Sequence, residues 1–460
     1  MIEKFLNYYK EIISEDKPEL SESEKKEEKL KEKSLGITVK ERSLGSAATA
    51  VGSTYIMPYL IAVKATLPEI AAFTSITHLV APLAQLFTPK LIEKFGRKKI
   101  VVRLAIFQAL VWLPIIASVF LYLNGLKNVS FLIIVLWTAY SLVGNLSAPA
   151  GNSWIGDLVP EAKRGRYFAL LSSFASIVFL VGVIASSFFL DYGRQKNILF
   201  YCFIALFGVS IIFKIFSINY TRKKYEPKLT LKEDYYFSFW EFIKRIKNNN
   251  FGRFVIYRST FALAISIASP FYGVFVLREL NFSYPQYAIS LIVVPTIIQI
   301  ILFPFWGKFS DRYGNVETLK AGGLLASVCP LLWIFSQNYY YILFVPMVIS
   351  GIAWAGFNLA TANFIFDNVT PEKRSLCFAY FSVLIGAGIF IGAGLGGFLS
   401  KLPMGFMNIF LFLFLISGIL SFINILILGR KVNEVRPVKG TKLPYHYLQF
   451  LFKPFFRRGH

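Results

Sequence analysis

Charge is scarce in this 460-residue chain: Asp, Glu, Lys and Arg make up 16% of it, against about 25% in soluble domains. Histidine and cysteine are scarcer still, at three residues each. With no CxxC pair, the chain offers neither a disulfide framework nor a zinc cluster. Cys202, Cys329 and Cys377 fall in or beside apolar runs, where a free thiol behaves as a small hydrophobe. No G-x-x-x-x-G-K-[ST] phosphate loop, HExxH or GxSxG occurs, and no two carboxylates face each other within an apolar run. We therefore expect no catalytic residue, no metal and no cofactor. The first residues hold no apolar stretch ending in a small-residue cleavage site, so we read no signal peptide.

What the chain does have is apolar length. It is 55% hydrophobic, with a mean hydropathy of +0.55, and its long runs approach or exceed the roughly 20 residues that cross a bilayer. Twelve spans can be counted, starting near Leu44, Phe73, Ile100, Phe131, Phe168, Ile198, Phe254, Ala288, Leu319, Tyr341, Phe378 and Met407. The expected fold is an all-α polytopic membrane protein of two six-helix halves. Residues 1–42 read as a polar leader, in which Ile2, Phe5, Leu6, Tyr9, Ile12 and Ile13 recur at helical spacing, while Ser21 to Lys33 read as a solvated linker. The bundles are expected over 43–217 and 253–429, with an inter-half loop at 218–252 and a basic, aromatic tail at 430–460.

The net charge of +23 would fit nucleic acid if it were gathered on a soluble module, but here it lies between spans. Beyond Arg42 only six basic residues (Lys64, Lys127, Arg194, Lys196, Arg278 and Lys401) fall on one side of the bilayer, and the other 33 fall on the opposite side. Lys and Arg mark the cytoplasmic side. Both termini are therefore expected in the cytoplasm, the lipid bilayer is the surrounding partner, nucleic acid is not one, and the plasma (inner) membrane and a monomer are expected.

Two loop patterns recur about half a chain apart. Lys90, Glu93, Lys94, Phe95 and Gly96 match Lys308, Asp311, Arg312, Tyr313 and Gly314 at an offset of 218. Asp157, Val159, Lys163, Arg164, Phe168 and Ala169 match Asp367, Val369, Lys373, Arg374, Phe378 and Ala379 at an offset of 210. Such repeats mark many secondary transporters. In these residues the chain resembles the major facilitator superfamily, whose loop signature is G-x-x-x-D-R-x-G-R-[RK]. Gly307, Asp311, Arg312 and Gly314 meet it; the first half has Pro89, Glu93 and Lys94 where the signature has Gly, Asp and Arg, and fits at Gly96, Arg97 and Lys98. The resemblance runs from about Leu44 to Leu428.

Glycine relaxes the backbone at a tight reversal, so Gly96 and Gly314 can turn the chain between spans. Glu93 and Asp311 can then pair with bases at neighbouring helix ends, and pairs that form in one state and break in another bias a two-state equilibrium. Glu93, Gly96, Arg97, Asp157, Arg164, Asp311, Arg312, Gly314, Asp367 and Arg374 are thus gating candidates. By the resemblance, the first, fourth, seventh and tenth spans line the cavity. Ser141, Asn145 and Asn152 share one face of the fourth span, and Ser350, Trp354, Asn358 and Thr361 one face of the tenth. Interhelical hydrogen bonding explains the same stripes without a ligand. Tyr55 and Tyr272 are weaker candidates, and Pro58 and Pro270 can break their spans. His78 is the only histidine among the spans. Every acidic residue of the membrane region sits at a span end or in a loop, so coupling is expected to use no buried carboxylate: transport is facilitated or exchange-type, or it uses His78. The function expected is alternating-access transport of a small organic solute, uncharged or amphiphilic, with drug-like efflux favoured over sugar uptake. A lipid flippase or scramblase on the same fold is the alternative.

Overall fold

The structure, a computed structural model, describes residues 21–160, 164–227, 238–370, 373–403, 405 and 407–438. The Ile2–Ile13 stretch and the tail beyond residue 438 lie outside them. Among the described residues the chain is helical, with no strand. The helices are α1 Glu22–Val51, α2 Ile56–Ala62, α3 Leu67–Ala84, α4 Thr88–Phe95, α5 Arg97–Leu123, α6 Val129–Leu158, α7 Arg164–Gln195, α8 Leu199–Lys223 and α9 Phe239–Arg245, followed by α10 Asn250–Ser266, α11 Tyr284–Ala288, α12 Val294–Tyr313, α13 Asn315–Leu332, α14 Tyr339–Phe344, α15 Pro346–Asn368, α16 Arg374–Leu399 and α17 Ile409–Ile427.

Among the described residues ten helical runs are long and apolar enough to cross a membrane. The other two expected spans are helical as well, but less uniformly apolar. The first is α1 with α2, which starts in charged sequence; the ninth is α13, whose first turns carry Asn315, Glu317 and Lys320. The spans expose large apolar side chains such as Phe107, Leu110, Phe131, Val181 and Ile301. That outward display suits hydrocarbon, in which a helix satisfies its own backbone polar groups. Both expected proline breaks are present. A 3₁₀ turn at Ser53–Tyr55 precedes Pro58, and another at Ser269–Phe271 contains Pro270.

Two compact units divide the chain: residues 1–63 with 81–232, and residues 64–80 with 233–460. In the first, α1 differs from expectation. Residues 21–33 are not a separate linker, because α1 runs unbroken from Glu22 into the first span. Ser34, Leu35, Thr38 and Val39 are buried, and Leu35 and Val39 pack on Trp154, Ile155, Leu158, Tyr167 and Leu171. This apolar seam, read as part of a polar leader, is what extends the helix. Lys224, just past α8, is buried over the Trp154 ring and 3.4 Å from Glu41 on α1. Burial pulls its ammonium below the ordinary lysine value, with Glu41 opposing that shift.

In the second unit, α10 and α16 approach closely. A Cβ on Gly388, Gly392 or Gly396 would collide with the carbonyl oxygens of Ser259, Leu263 and Ile267. The four-residue glycine spacing on α16 therefore follows the four-residue ridge of α10. The first part of α3 belongs to this unit, where Ser75 Oγ donates to the Phe390 carbonyl at 3.0 Å.

Candidate functional site

Gly96 (φ 78°, ψ 156°) separates α4 from α5, and Gly314 (φ 92°, ψ 165°) separates α12 from α13. This backbone region is essentially closed to residues with a Cβ. Each glycine leaves the next helix starting with unpaired backbone N–H groups, and in each unit a glutamate fills that place. Glu226 Oε1 accepts from the Lys98 amide at 3.1 Å, and Glu434 Oε2 accepts from the Val316 amide at 2.9 Å. Lys98 and Val316 stand at the same offset, 218, as the two glycines. The glutamates arrive on short straps that follow α8 and α17.

Each strap is pinned to its own unit. Tyr225 N donates to Ser34 Oγ at 2.8 Å, Trp154 Nε1 to the Tyr225 carbonyl at 2.8 Å, and Lys98 Nζ to the Lys224 carbonyl at 2.7 Å. In the second unit Asn250 receives the strap: its Nδ2 donates to the Asn433 carbonyl at 2.7 Å, and Asn433 N donates to its Oδ1 at 2.9 Å.

The acid on the following helix is held differently in the two units. Arg97 is 1% exposed; its Nη1 donates to Asp157 and, at 3.1 Å, to Ser153 Oγ, and its Nη2 donates to the Pro227 carbonyl at 2.9 Å. Its Nε lies 3.9 Å from Glu226 Oε1, within ion-pair range but without hydrogen-bond alignment. Asn315 occupies the equivalent place in the second unit, donating to Asp367 Oδ2 at 2.5 Å and accepting from Ser310 Oγ at 2.5 Å. The missing cation comes from the strap: Arg436 Nε lies 3.1 Å from Asp367 Oδ2, and its Nη1 lies 3.8 Å from Asp311. One acid and one arginine thus meet beside each glycine, with the arginine on the helix in one case and on the strap in the other.

The other gating candidates stand apart. Glu93 is exposed and makes no ion pair among the described residues. Arg312 is exposed and lies over the Tyr313 ring. Arg374 caps the end of α15 by donating to the Val369 and Phe366 carbonyls at 3.3 and 3.1 Å. Arg164 opens α7, and its side chain lies outside the described residues. Sequence reasoning missed Glu226, Glu434 and Arg436 because they lie in polar stretches read as loop and tail. The available signal was a Glu a few residues beyond the last span of each half.

Among the substrate candidates, several are already occupied. Tyr55 is fully buried and donates to the Val183 carbonyl at 2.5 Å. Asn145 accepts from Gln85 Nε2 at 2.8 Å and donates to the Ser141 carbonyl at 3.0 Å. Asn152 is exposed and accepts from Arg42 at 3.5 Å, and Thr361 is buried and donates to the Phe357 carbonyl at 2.6 Å. Tyr272 stacks on Phe414 and lies tilted against Trp333. His78 is exposed, and its Nδ1 bonds the Thr74 carbonyl of its own helix at 2.9 Å. Two candidates on α15 are uncommitted: Asn358 is exposed with no hydrogen-bond partner among the described residues, and Trp354 is half-buried with its ring edge-on to Phe357. An aromatic group of the first unit also escaped the sequence reading. Trp137 stacks on Tyr140, and both meet Trp112 edge-on. Beside them Lys214, within α8, donates to Gln108 Oε1 at 2.9 Å.

The family model of the Major Facilitator Superfamily matches residues 43–264 and 254–459. An uncharacterized MFS-type transporter of Methanocaldococcus jannaschii is 23% identical over 390 residues, 82% of this chain and 95% of that protein. Multidrug resistance protein 1 of Bacillus subtilis is 31% identical over 166 residues, covering 34% of this chain and 41% of that protein. Quinolone resistance protein NorA of Staphylococcus aureus is 27% identical over 151 residues, 32% of this chain and 38% of that protein. The solved nucleoside transporter NupG shares the fold, with a TM-score of 0.62 at 15% identity over 87% of this chain and 98% of that one. A POT family peptide transporter gives 0.66 at 10% identity over 91% and 100%. The chain is a multi-pass integral membrane protein and belongs to the major facilitator superfamily.

Proposed function

We propose that this protein moves a small amphiphilic organic solute across the membrane by alternating access, with drug-like efflux ahead of sugar uptake. The observation that carries the reading is the duplicated latch: a glycine that only glycine can replace, a glutamate capping the helix behind it, and an acid joined to an arginine. Arg97 and Asp157 in one unit, and Arg436 and Asp367 in the other, are the pairs that form and break between states; Glu93, Arg164, Asp311, Arg312 and Arg374 tune the same loops. Both termini then face the cytoplasm of an inner membrane, because Lys and Arg crowd the connections on the side of the termini. Trp354, half-buried against Phe357, and Asn358, exposed without a hydrogen-bond partner among the described residues, favour a solute that pairs an aromatic surface with a polar group, and the names of the multidrug and quinolone resistance proteins agree with a drug-like class.

A thermal-shift screen of the purified full chain against sugars, nucleosides, lipids and cationic dyes tests the substrate class, since a ligand of the folded state stabilises it by mass action. A drug-like hit that is lost on Asn358→Ala supports the reading, whereas hits confined to sugars overturn it. For the latch, Asp157→Asn and Asp367→Asn are each expected to slow counterflow in proteoliposomes while leaving ligand affinity in place; unchanged turnover in both removes the gating role.

A further inference from the structure

The second unit buries a cation that the latches do not use. Arg258 lies on α10, about 12 Å along the axis from Asn250 at about 1.5 Å per residue, and it is 8% exposed. Its guanidinium sits 4.1 Å from the centre of the Phe357 ring of α15. No carboxylate pairs with it and no hydrogen bond reaches it among the described residues, and its Nε is buried without a partner. Arg97 shows the contrast, since it is buried to a similar degree with an acid, a hydroxyl and a carbonyl all engaged. Contact with a ring face returns less than the desolvation of an unpaired buried charge costs. Arg258 is therefore short of an anion that the described residues do not provide.

Its surroundings indicate what kind of anion fits. Phe357 also meets Phe261 at 4.6 Å and Trp354 at 5.6 Å, so the charge rests on an aromatic platform. Asn358, the next residue, leaves its amide unengaged on the exposed side of α15. We propose that Arg258 is the anion-recognition residue of the second unit, and that the transported solute is an amphiphilic organic anion: a carboxylate or sulfonate on an aromatic body. This rests on the transport reading above and narrows it. A lipid phosphate carries the same chemistry, and the competition arm of the test separates it from the solute.

The test uses a matched pair, naphthalene-1-acetate and naphthalene-1-acetamide, with the full-length purified chain. Affinities are read by calorimetry, and counterflow is read in phosphatidylcholine proteoliposomes. The wild type is expected to bind the acid at least about tenfold more tightly than the amide, as a charge-assisted bond implies. Arg258→Gln is expected to erase that ratio by weakening the acid alone, and Arg258→Lys, which keeps the charge but loses the planar fork, to reduce it. Equal affinities in the wild type, or a ratio that survives Arg258→Gln, overturns the proposal. If Arg258→Gln does not fold, a ratio unchanged in Arg258→Lys overturns it instead. Competition with the acid by added phosphatidylglycerol, present in the wild type and absent in the variant, assigns the place to lipid and also overturns it. Equal binding and counterflow of both probes removes this inference alone; no binding of either also removes it, and the transport reading then stands or falls on the ligand screen and the latch variants.

Discussion

Arg97 condenses the chemistry of the first latch into one side chain. Truncating it to Ala leaves Asp157, Ser153 Oγ and the Pro227 carbonyl without their donor. We expect a loss of about 2–3 kcal/mol, reduced from the full buried-pair penalty because Asp157 is 43% exposed; thermal unfolding in detergent reads it. The glycines rank differently from each other. Both occupy glycine-only backbone, so either Ala variant costs roughly 1–3 kcal/mol. A Cβ at Gly96 meets Glu226 at an ordinary 3.7 Å, but one at Gly314 collides with Glu434. Gly314→Ala is therefore expected to unfold at the lower temperature, and the reverse order would discredit the Glu434 cap. Gly96, Gly314 and the two aspartates were legible as a repeat in the sequence. Glu226, Glu434 and Arg436 were not, because a strap is defined by what it is pinned to, and Ser34, Trp154 and Asn250 are distant in sequence. In the sequence Arg258 is one basic residue among many; what it lacks becomes apparent once Phe357 is set against it.

At the scale of elements, the glycine ridge of α16 lets α10 approach to backbone contact. Gly392→Val pushes the two helices apart and is expected to cost about 2–3 kcal/mol or to prevent folding. Gly394 faces Ser75 Oγ at 3.8 Å, so Gly394→Ala is expected to be neutral. Parallel measurement of expression and thermal stability checks the pair, and equal effects would dissociate the ridge from α10. Those glycines recur every four residues in the sequence itself, because close packing writes itself into composition. The extent of α1 was not readable. Its hydrophobic residues Leu35 and Val39 are diluted by charge, and only their contact with Trp154 and Leu158 shows that the helix begins well before the membrane. Leu35→Ala should cost about 2–3 kcal/mol of stability by loss of burial.

For the whole molecule, the absence of mid-span acids in the sequence bears on energy coupling. We expect solute counterflow in proteoliposomes to proceed without an imposed pH gradient. If a gradient does drive uptake, His78→Gln is expected to abolish the drive, since His78 is exposed within α3 and, among the described residues, bonds only to its own helix. Proton-driven uptake that survives this change would require another proton carrier. The all-helical fold of apolar spans, its two halves and the loop repeat were legible in the sequence alone, because each reports the bilayer: hydrocarbon dictates the length of apolar runs, and the duplicated half repeats its loops. Which acid meets which base, which polar stripe is already satisfied and which buried arginine has no partner were decided by the tertiary structure. Those outcomes depend on distances between residues far apart in the chain, such as Arg97 and Glu226 or Arg436 and Asp367, and periodicity along one helix carries no information about its neighbours.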